Sequence, residues 1–441
     1  MILSWRRRRH GLRPDENGLA DVNLETELTI PTHFRCPITL DLMKDPVTLP
    51  TGITYDRESI ERWIEAGNQT CPVTNQVLAT PDQIPNHTLR RMIQDWCVRN
   101  SAHGIERIPT PRIPVTARQV SEACSCLISA TRRADQGKYL AIVGKIKAWA
   151  TESERNRRCA AENGAGAALA AALESFSSNS IEDYEGLLSE TLSALMFTFP
   201  LRAKDSVRLG SPMVLRCISW FLKGEDLSAR QNAVLAAKEI LASEPTYAQA
   251  LAEIEGVDEA LVRIIKEQTC PKATKASLMV IYYMTSPGTA SEKVMSRFVD
   301  LDLVSMLLEI IVGGDKSLCE KSLGVLDNIC SGSQGIEKAK ENALTIPVLI
   351  KRILRVSSVA TDFSVSILWR LLKTIDEDNV EGEVVEAVEV GGFQKLLVVL
   401  QVGCGGKTKE KVTELLKLLN QYMERAGCFD SSLGFKYLKR S

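Results

Sequence analysis

Eleven of the 17 prolines stand at or before Pro114, and the other six are spread from 115 to 441. Proline removes a helical hydrogen bond and collides with the preceding turn, so the first quarter of the chain must be loops and short elements while the rest is free to be helical. The segment IERIPTPRIPV, with Pro109, Pro111 and Pro114, reads as an extended linker. Charge does not divide the chain in the same way: residues 1 to 114 hold 14 Lys or Arg against 14 Asp or Glu, in a whole of 54 against 55. The division therefore concerns backbone shape, and the even balance argues against a nucleic-acid partner. The expected organisation is a flexible basic N-terminus over 1–29, a compact head over 30–105, a Pro-rich linker over 106–116, a helical array over 117–425 and a C-terminal tail over 426–441.

Twelve cysteines are scattered with no CxxC spacing, which reads as reduced thiols rather than a disulfide framework. MILSW precedes RRRRH, the reverse of a signal peptide's order, and no apolar run is long enough to span a bilayer. The cytoplasm is the expected compartment. Arg6 to Arg9 leave open a nuclear signal or a contact with an anionic membrane surface, beside the plainer reading of a solvated terminus.

From Ala117 onward the apolar spacing is that of helices, and a unit recurs in which a small or polar break precedes an apolar run. Aligning Gly164, Gly210, Gly256, Asp300, Asn342 and Gly391 gives separations of 46, 46, 44, 42 and 49 residues. That period belongs to solenoids of two- or three-helix units, in which neighbours stack because no unit buries its own apolar face. The apolar run reads as the last helix of each unit. A stacked array of this kind offers an extended surface to other macromolecules. Cys159, Cys217, Cys270, Cys319 and Cys330 fall in helical runs and read as small buried hydrophobes.

In the head, ThrGly at 51 and 52 suggests a hairpin turn. A helix should begin at Asp56, whose carboxylate can accept from its first-turn amides, and should end at Gly67; a second should begin near Asn86 and bury Leu89, Met92, Ile93 and Trp96. His33, Cys36, Cys71, His87 and Cys97 are isolated residues, so no four-ligand zinc set is present in the spacing and no metal or other cofactor is expected. Without metal, polar side chains must hold the loops. The candidates are Asp45, Thr51, Asp56, Arg57, Glu58, Thr70, Thr74 and Asn86.

The motifs CPI at 36 to 38, DPV at 45 to 47, TGITYDR at 51 to 57, CPVT at 71 to 74 and IPN at 84 to 86 resemble, in order, those of the U-box, a metal-free relative of the RING finger found in ubiquitin ligases. The array resembles armadillo repeats, and the pairing resembles the plant U-box ligases. The resemblance implies a mainly α chain: a small α+β U-box followed by an all-α armadillo-type superhelical solenoid. It implies a RING-type ubiquitin transferase that clasps a ubiquitin-charged conjugating enzyme and promotes transfer to a lysine of a protein substrate recruited by the armadillo repeats, without a covalent intermediate on the ligase and without a catalytic residue of its own. By the family pattern Ile38, Leu40, Trp63 and Pro72 form the groove for the conjugating enzyme. Asn75 stands where some relatives place a basic residue that bridges enzyme and ubiquitin, and its amide lacks the charged fork of Arg. The resemblance also leaves open a homodimer formed through the U-box.

Some readings compete. Trp63 and Ile38 could fill the head's own core, and the whole chain could be an adaptor with a degenerate head. Cys36 and Cys71 have no His or Lys at motif spacing to generate a thiolate nucleophile. GCGGKT at 403 to 408 lacks the first glycine of a phosphate-binding loop and joins two helical runs, so it reads as a turn. With four His, all at or before His103, a hydrolase active site in the array has no support.

Overall fold

The computed structural model describes residues 30–78, 80, 82–109, 114–201, 207–288, 291–373 and 381–425. The expected basic N-terminus with Arg6 to Arg9 and the expected tail lie outside the described residues. The chain divides into two compact units, one running up to residue 113 and the other from Pro114 onward.

In the first unit, three short strands form a sheet in the order β2, β1, β3: β1 is Pro46–Thr48, β2 Thr54–Asp56 and β3 Ile84–Pro85. All pairings are antiparallel, with Val47 opposite both Tyr55 and Pro85. The hairpin turn falls at Thr51 and Gly52, as the sequence suggests, and Gly52 there has a φ of 80° and donates to the Leu49 carbonyl at 2.8 Å. Helix α1, Arg57–Glu65, follows β2 directly, and α2 is His87–Arg99. Asn86 caps α2 by accepting from the Leu89 amide at 3.0 Å, while its own amide donates to Pro46 at 2.8 Å, so one residue starts the helix and ties it to the sheet. Phe34, Met43, Val47, Leu49, Tyr55, Ile60 and Ile93 fill the core, joined by Ile108 from the segment read as linker. Met92 does not join them. It is exposed, and the buried stripe of α2 runs instead through Ile93 and Cys97, one turn apart.

Among the described residues of the second unit every regular element is a helix. The six apolar runs form Ala165–Ser177, Pro212–Lys223, Val257–Glu267, Leu303–Gly313, Thr345–Arg352 and Gly392–Val402. They do not end their units. Each is followed by a further helix: Glu185–Leu195, Leu227–Ser243, Pro271–Met284, Lys316–Ile329, Ser358–Lys373 and Gly406–Arg425. Together with Gln136–Glu152, these stack side by side in one continuous row. The sequence misplaced the unit's end because a helix sandwiched between neighbours is apolar on most sides. Leu303–Gly313, for example, buries Leu303, Val304, Leu307, Leu308, Ile310 and Ile311. The row helices also turn polar groups on one another: Tyr139 and Thr191 share a hydroxyl contact of 2.7 Å, Asn328 donates to the Tyr282 carbonyl at 3.1 Å, and Lys411 donates to Ser366 at 2.7 Å.

The aligned breaks share a geometry in part. Gly164, Gly256 and Gly391 have φ of 92°, 82° and 83°, and the break aligned at Asp300 turns at Asp302 with a φ of 56°. Gly403 to Gly405 link two helices, as expected of a turn. Cys217, Cys319 and Cys330 are fully buried, whereas Cys159 and Cys270 are only half-buried, against expectation, because they stand near helix ends.

Candidate functional site

The two loops of the head are the same structure twice. Cys36-Pro-Ile-Thr-Leu40 and Cys71-Pro-Val-Thr-Asn75 each fold back so that the fifth residue donates to the first carbonyl, at 2.8 and 2.9 Å. In each, the first cysteine's amide reaches the carbonyl one residue beyond, Asp41 at 2.8 Å and Gln76 at 2.9 Å, and a single bridge closes the base, Arg35 to Leu42 and Thr70 to Val77. The fifth residues, Leu40 and Asn75, both take the left-handed conformation, at φ 63° and 56°. Asn tolerates that region, while a bulky Leu there is strained. Read separately, the loops hide this equivalence. Its signal in the sequence is a Cys-Pro-aliphatic-Thr quartet repeated after 35 residues.

Strand β2 holds both loops. Successive residues of a strand face opposite ways. Asp56 serves the first loop: its amide donates to Cys36 Sγ at 3.3 Å, and its Oδ1 accepts from the Lys44 and Asp45 amides, both at 2.8 Å. The carboxylate thus does not cap the first turn of α1, as the sequence suggested, because the amides of the folded-back first loop occupy it. Arg57 secures the same segment through a 2.7 Å bond from Nε to Asp45 Oδ2. Tyr55 serves the second loop. Its buried hydroxyl lies 3.0 Å from Cys71 Sγ and accepts from the Val73 amide at 3.3 Å, and Thr51 donates to the same sulfur at 3.3 Å. Thr70 contributes its carbonyl, which accepts from Trp63 Nε1 at 2.8 Å, and the Thr74 hydroxyl accepts from the Gln76 amide at 3.4 Å. Asn86 reaches Thr48 and Thr54, whose hydroxyls meet at 2.8 Å. Glu58 lies apart from this set, pairing with Arg62 on the exposed side of α1.

Three groups shift in consequence, and the first is the Tyr55 hydroxyl, which burial pushes up. Burial pushes the Asp56 carboxyl up, against the pull of the two amides. Burial also works against a Cys71 thiolate, but hydrogen bonds from Thr51, Thr74 and Tyr55 outweigh it and draw the thiol down to about 6. Neutral donors thus supply what a His or Lys was expected to be needed for. Cys71 is nonetheless fully buried, which withholds it from any substrate.

Of the residues expected to meet a partner, Leu40 is 67% exposed, while Ile38, Trp63 and Pro72 are half-buried. Ile38 and Trp63 each lay one side on the head's core and leave the other accessible, so the choice between core and surface was too sharp. Asn75 is exposed. Val73, the counterpart of Ile38 in the second loop, is 51% exposed and was missed by sequence reasoning. Among the described residues no group of three or more His, Cys, Asp or Glu is placed to hold a metal ion.

Residues 30–102 match the family described as U-box domain, and residues 119–439 the family described as Plant U-box protein ARM repeat region. The chain belongs to the plant U-box proteins with armadillo repeats. U-box domain-containing protein 21 of Arabidopsis thaliana is 47% identical over 417 residues, covering 94% of each chain. U-box domain-containing protein 20 of the same plant is 44% identical over the full length of both. The plant's E3 ubiquitin-protein ligase PUB23 is 32% identical, over 94% of this chain and 98% of its own. Membership of this U-box family supports a ubiquitin-ligase type of function in general. Among the described residues no helix is long and apolar enough to cross a membrane.

Proposed function

We propose that this U-box protein docks a ubiquitin-charged conjugating enzyme on the two equivalent loops of its head and promotes transfer of ubiquitin to a lysine of a protein held by the array. No covalent intermediate forms on the ligase in this reading. The observation that carries it is the exposure of Leu40 and Val73, large apolar side chains on two loops otherwise tightly held by hydrogen bonds. Exposed apolar groups on a rigid frame, with half-buried aliphatic and aromatic neighbours, suit a small interface that must form and dissolve at each turnover. Ile38, Leu40, Trp63 and Pro72 are the docking residues, and Asn75 reaches toward the enzyme-bound ubiquitin. The chemistry is that of orientation: the thioester belongs to the conjugating enzyme, and the ligase holds it in the geometry that a lysine attacks. The relative described as E3 ubiquitin-protein ligase PUB23 supports the reading by its name.

The test is reconstitution with activating enzyme, conjugating enzyme and ubiquitin. Ile38→Ala should leave the head folded and weaken docking by at least about 2 kcal/mol, roughly thirtyfold in affinity. A folded variant with undiminished activity across several conjugating enzymes would return the chain to an adaptor.

A further inference from the structure

Adjacent residues of one strand hold the two loops from opposite faces, and the two holds differ in kind. Asp56 grips the first loop with a carboxylate and a backbone amide. Tyr55 grips the second with a single neutral hydroxyl, which accepts from Val73 and contacts Cys71 Sγ. The ring beneath that hydroxyl is part of the head's core and opposes Val47 across the sheet. The hydroxyl therefore contributes little to the core and much to where Pro72 and Val73 stand.

We infer that the Tyr55 hydroxyl is a positioning group for the second docking loop, setting Pro72 and Val73 against the conjugating enzyme through the chain from the Val73 amide to the Tyr55 oxygen to the Cys71 sulfur. This rests on the docking role proposed for the head. Tyr55 does not touch the partner; it acts through Val73. Thr51, which reaches the same sulfur from the hairpin turn, supports the arrangement from its other end. Trp63 Nε1 bonds to Thr70 at the base of the loop, so removing the hydroxyl frees the tip while the base stays attached.

The experiment uses the full chain with Tyr55→Phe, which keeps the ring and removes the oxygen. Hydrogen exchange should quicken about tenfold in the segment 71–76, the loss expected of one net hydrogen bond, with no change in 36–45. KM for the charged conjugating enzyme should rise by about the same factor, with kcat within about twofold of the parent, since a misplaced loop weakens docking uniformly. Thr51→Val, which leaves the Tyr55 to Val73 bond intact, should show the same pattern at about threefold, and it decides the matter if Tyr55→Phe does not fold. Unchanged exchange in 71–76 overturns the inference, and so does equal loosening of both loops, which would make Tyr55 a general stabiliser. A parent chain that docks no charged conjugating enzyme would sink the ligase reading instead, and the exchange pattern would still decide the role of Tyr55.

Discussion

Cys71 in the head and Cys217 in the array are both fully buried, yet their thiols move in opposite directions. At Cys71, burial is outweighed by hydroxyl donors from Thr51, Thr74 and Tyr55, and the thiol falls to about 6. At Cys217, on the apolar helix Pro212–Lys223, burial pushes the thiol up to about 11, and the nearby Ser177 offsets it only in part. The head uses a cysteine as an acceptor at a crossing of loops, and the array uses one to fill space. The difference follows from size. A domain of this length cannot bury enough apolar area to fix its loops, so directional bonds take over, whereas stacked units add buried area with every neighbour.

The largest effect should come from a cavity in the array. Leu323, fully buried in the row helix Lys316–Ile329, should cost about 3 kcal/mol as Leu323→Ala. Because stacked units depend on neighbours alone, exchange should quicken in the adjoining helices and remain slow in Gln136–Glu152. Uniform loss across the array would break the comparison by making it one cooperative core.

Asp56→Ala should cost the head about 2 kcal/mol, less than two charge-assisted bonds would suggest, because the buried carboxylate already carries a desolvation penalty. Here the whole head should melt earlier in calorimetry, with the array transition in place. Independent transitions are what two unlike stabilising schemes require.

A pH series separates the schemes without a gross structural change. A thiol whose folded pKa lies below its ordinary value of 9.0 stabilises the fold fully above that value, so the Cys71 contribution should fade as pH drops from 9 toward 6. A thiol raised to about 11, as at Cys217, works the other way: its contribution is intact below pH 9 and is lost as pH climbs beyond. Between pH 6 and 9 the head transition should therefore rise relative to the array's, and Cys71→Ser should flatten that slope. A slope that survives the substitution would assign it to another group.

The smallest effect is expected at Glu58→Ala, below about 0.5 kcal/mol, since an exposed pair one helical turn apart contributes little. A larger loss would place Glu58 back among the groups that hold the loops.

Backbone-level features were legible in the sequence because few residues can supply them. Asn86 as a helix cap, the turn at Thr51 and Gly52, and the breaks near Gly164, Gly256 and Gly391 are of this kind. The candidate docking residues were legible only through the family's motif order. What the sequence hid were the choices a side chain makes among several partners in reach. Asp56 could cap α1 or bind the first loop, and only the folded loop brings the Lys44 and Asp45 amides to it. Tyr55 reads as an apolar residue of a strand, and nothing local says that its hydroxyl crosses to Cys71 and Val73. Met92 fits the helical period as well as Cys97 does, and the exposed place of one and the buried place of the other follow from where α2 meets the sheet.

Stacking chiefly by neighbours has a mechanical side. Among the described residues the polar rungs of the row connect each helix to the next, as between Tyr139 and Thr191 or Lys411 and Ser366, and a contact that reaches past a neighbour, the Tyr282 ring 6.4 Å from that of Phe363, spans a single helix, so tension on the two ends meets no clamp between them. Under tension the terminal unit has one neighbour and the inner units two, so the array should peel from an end. Each step would release the slack of one period, about 150 Å of extended chain at roughly 3.4 Å per residue. An array built this way acts as a compliant tether, lengthening in increments where a single-core domain of the same size would resist and then give way at once.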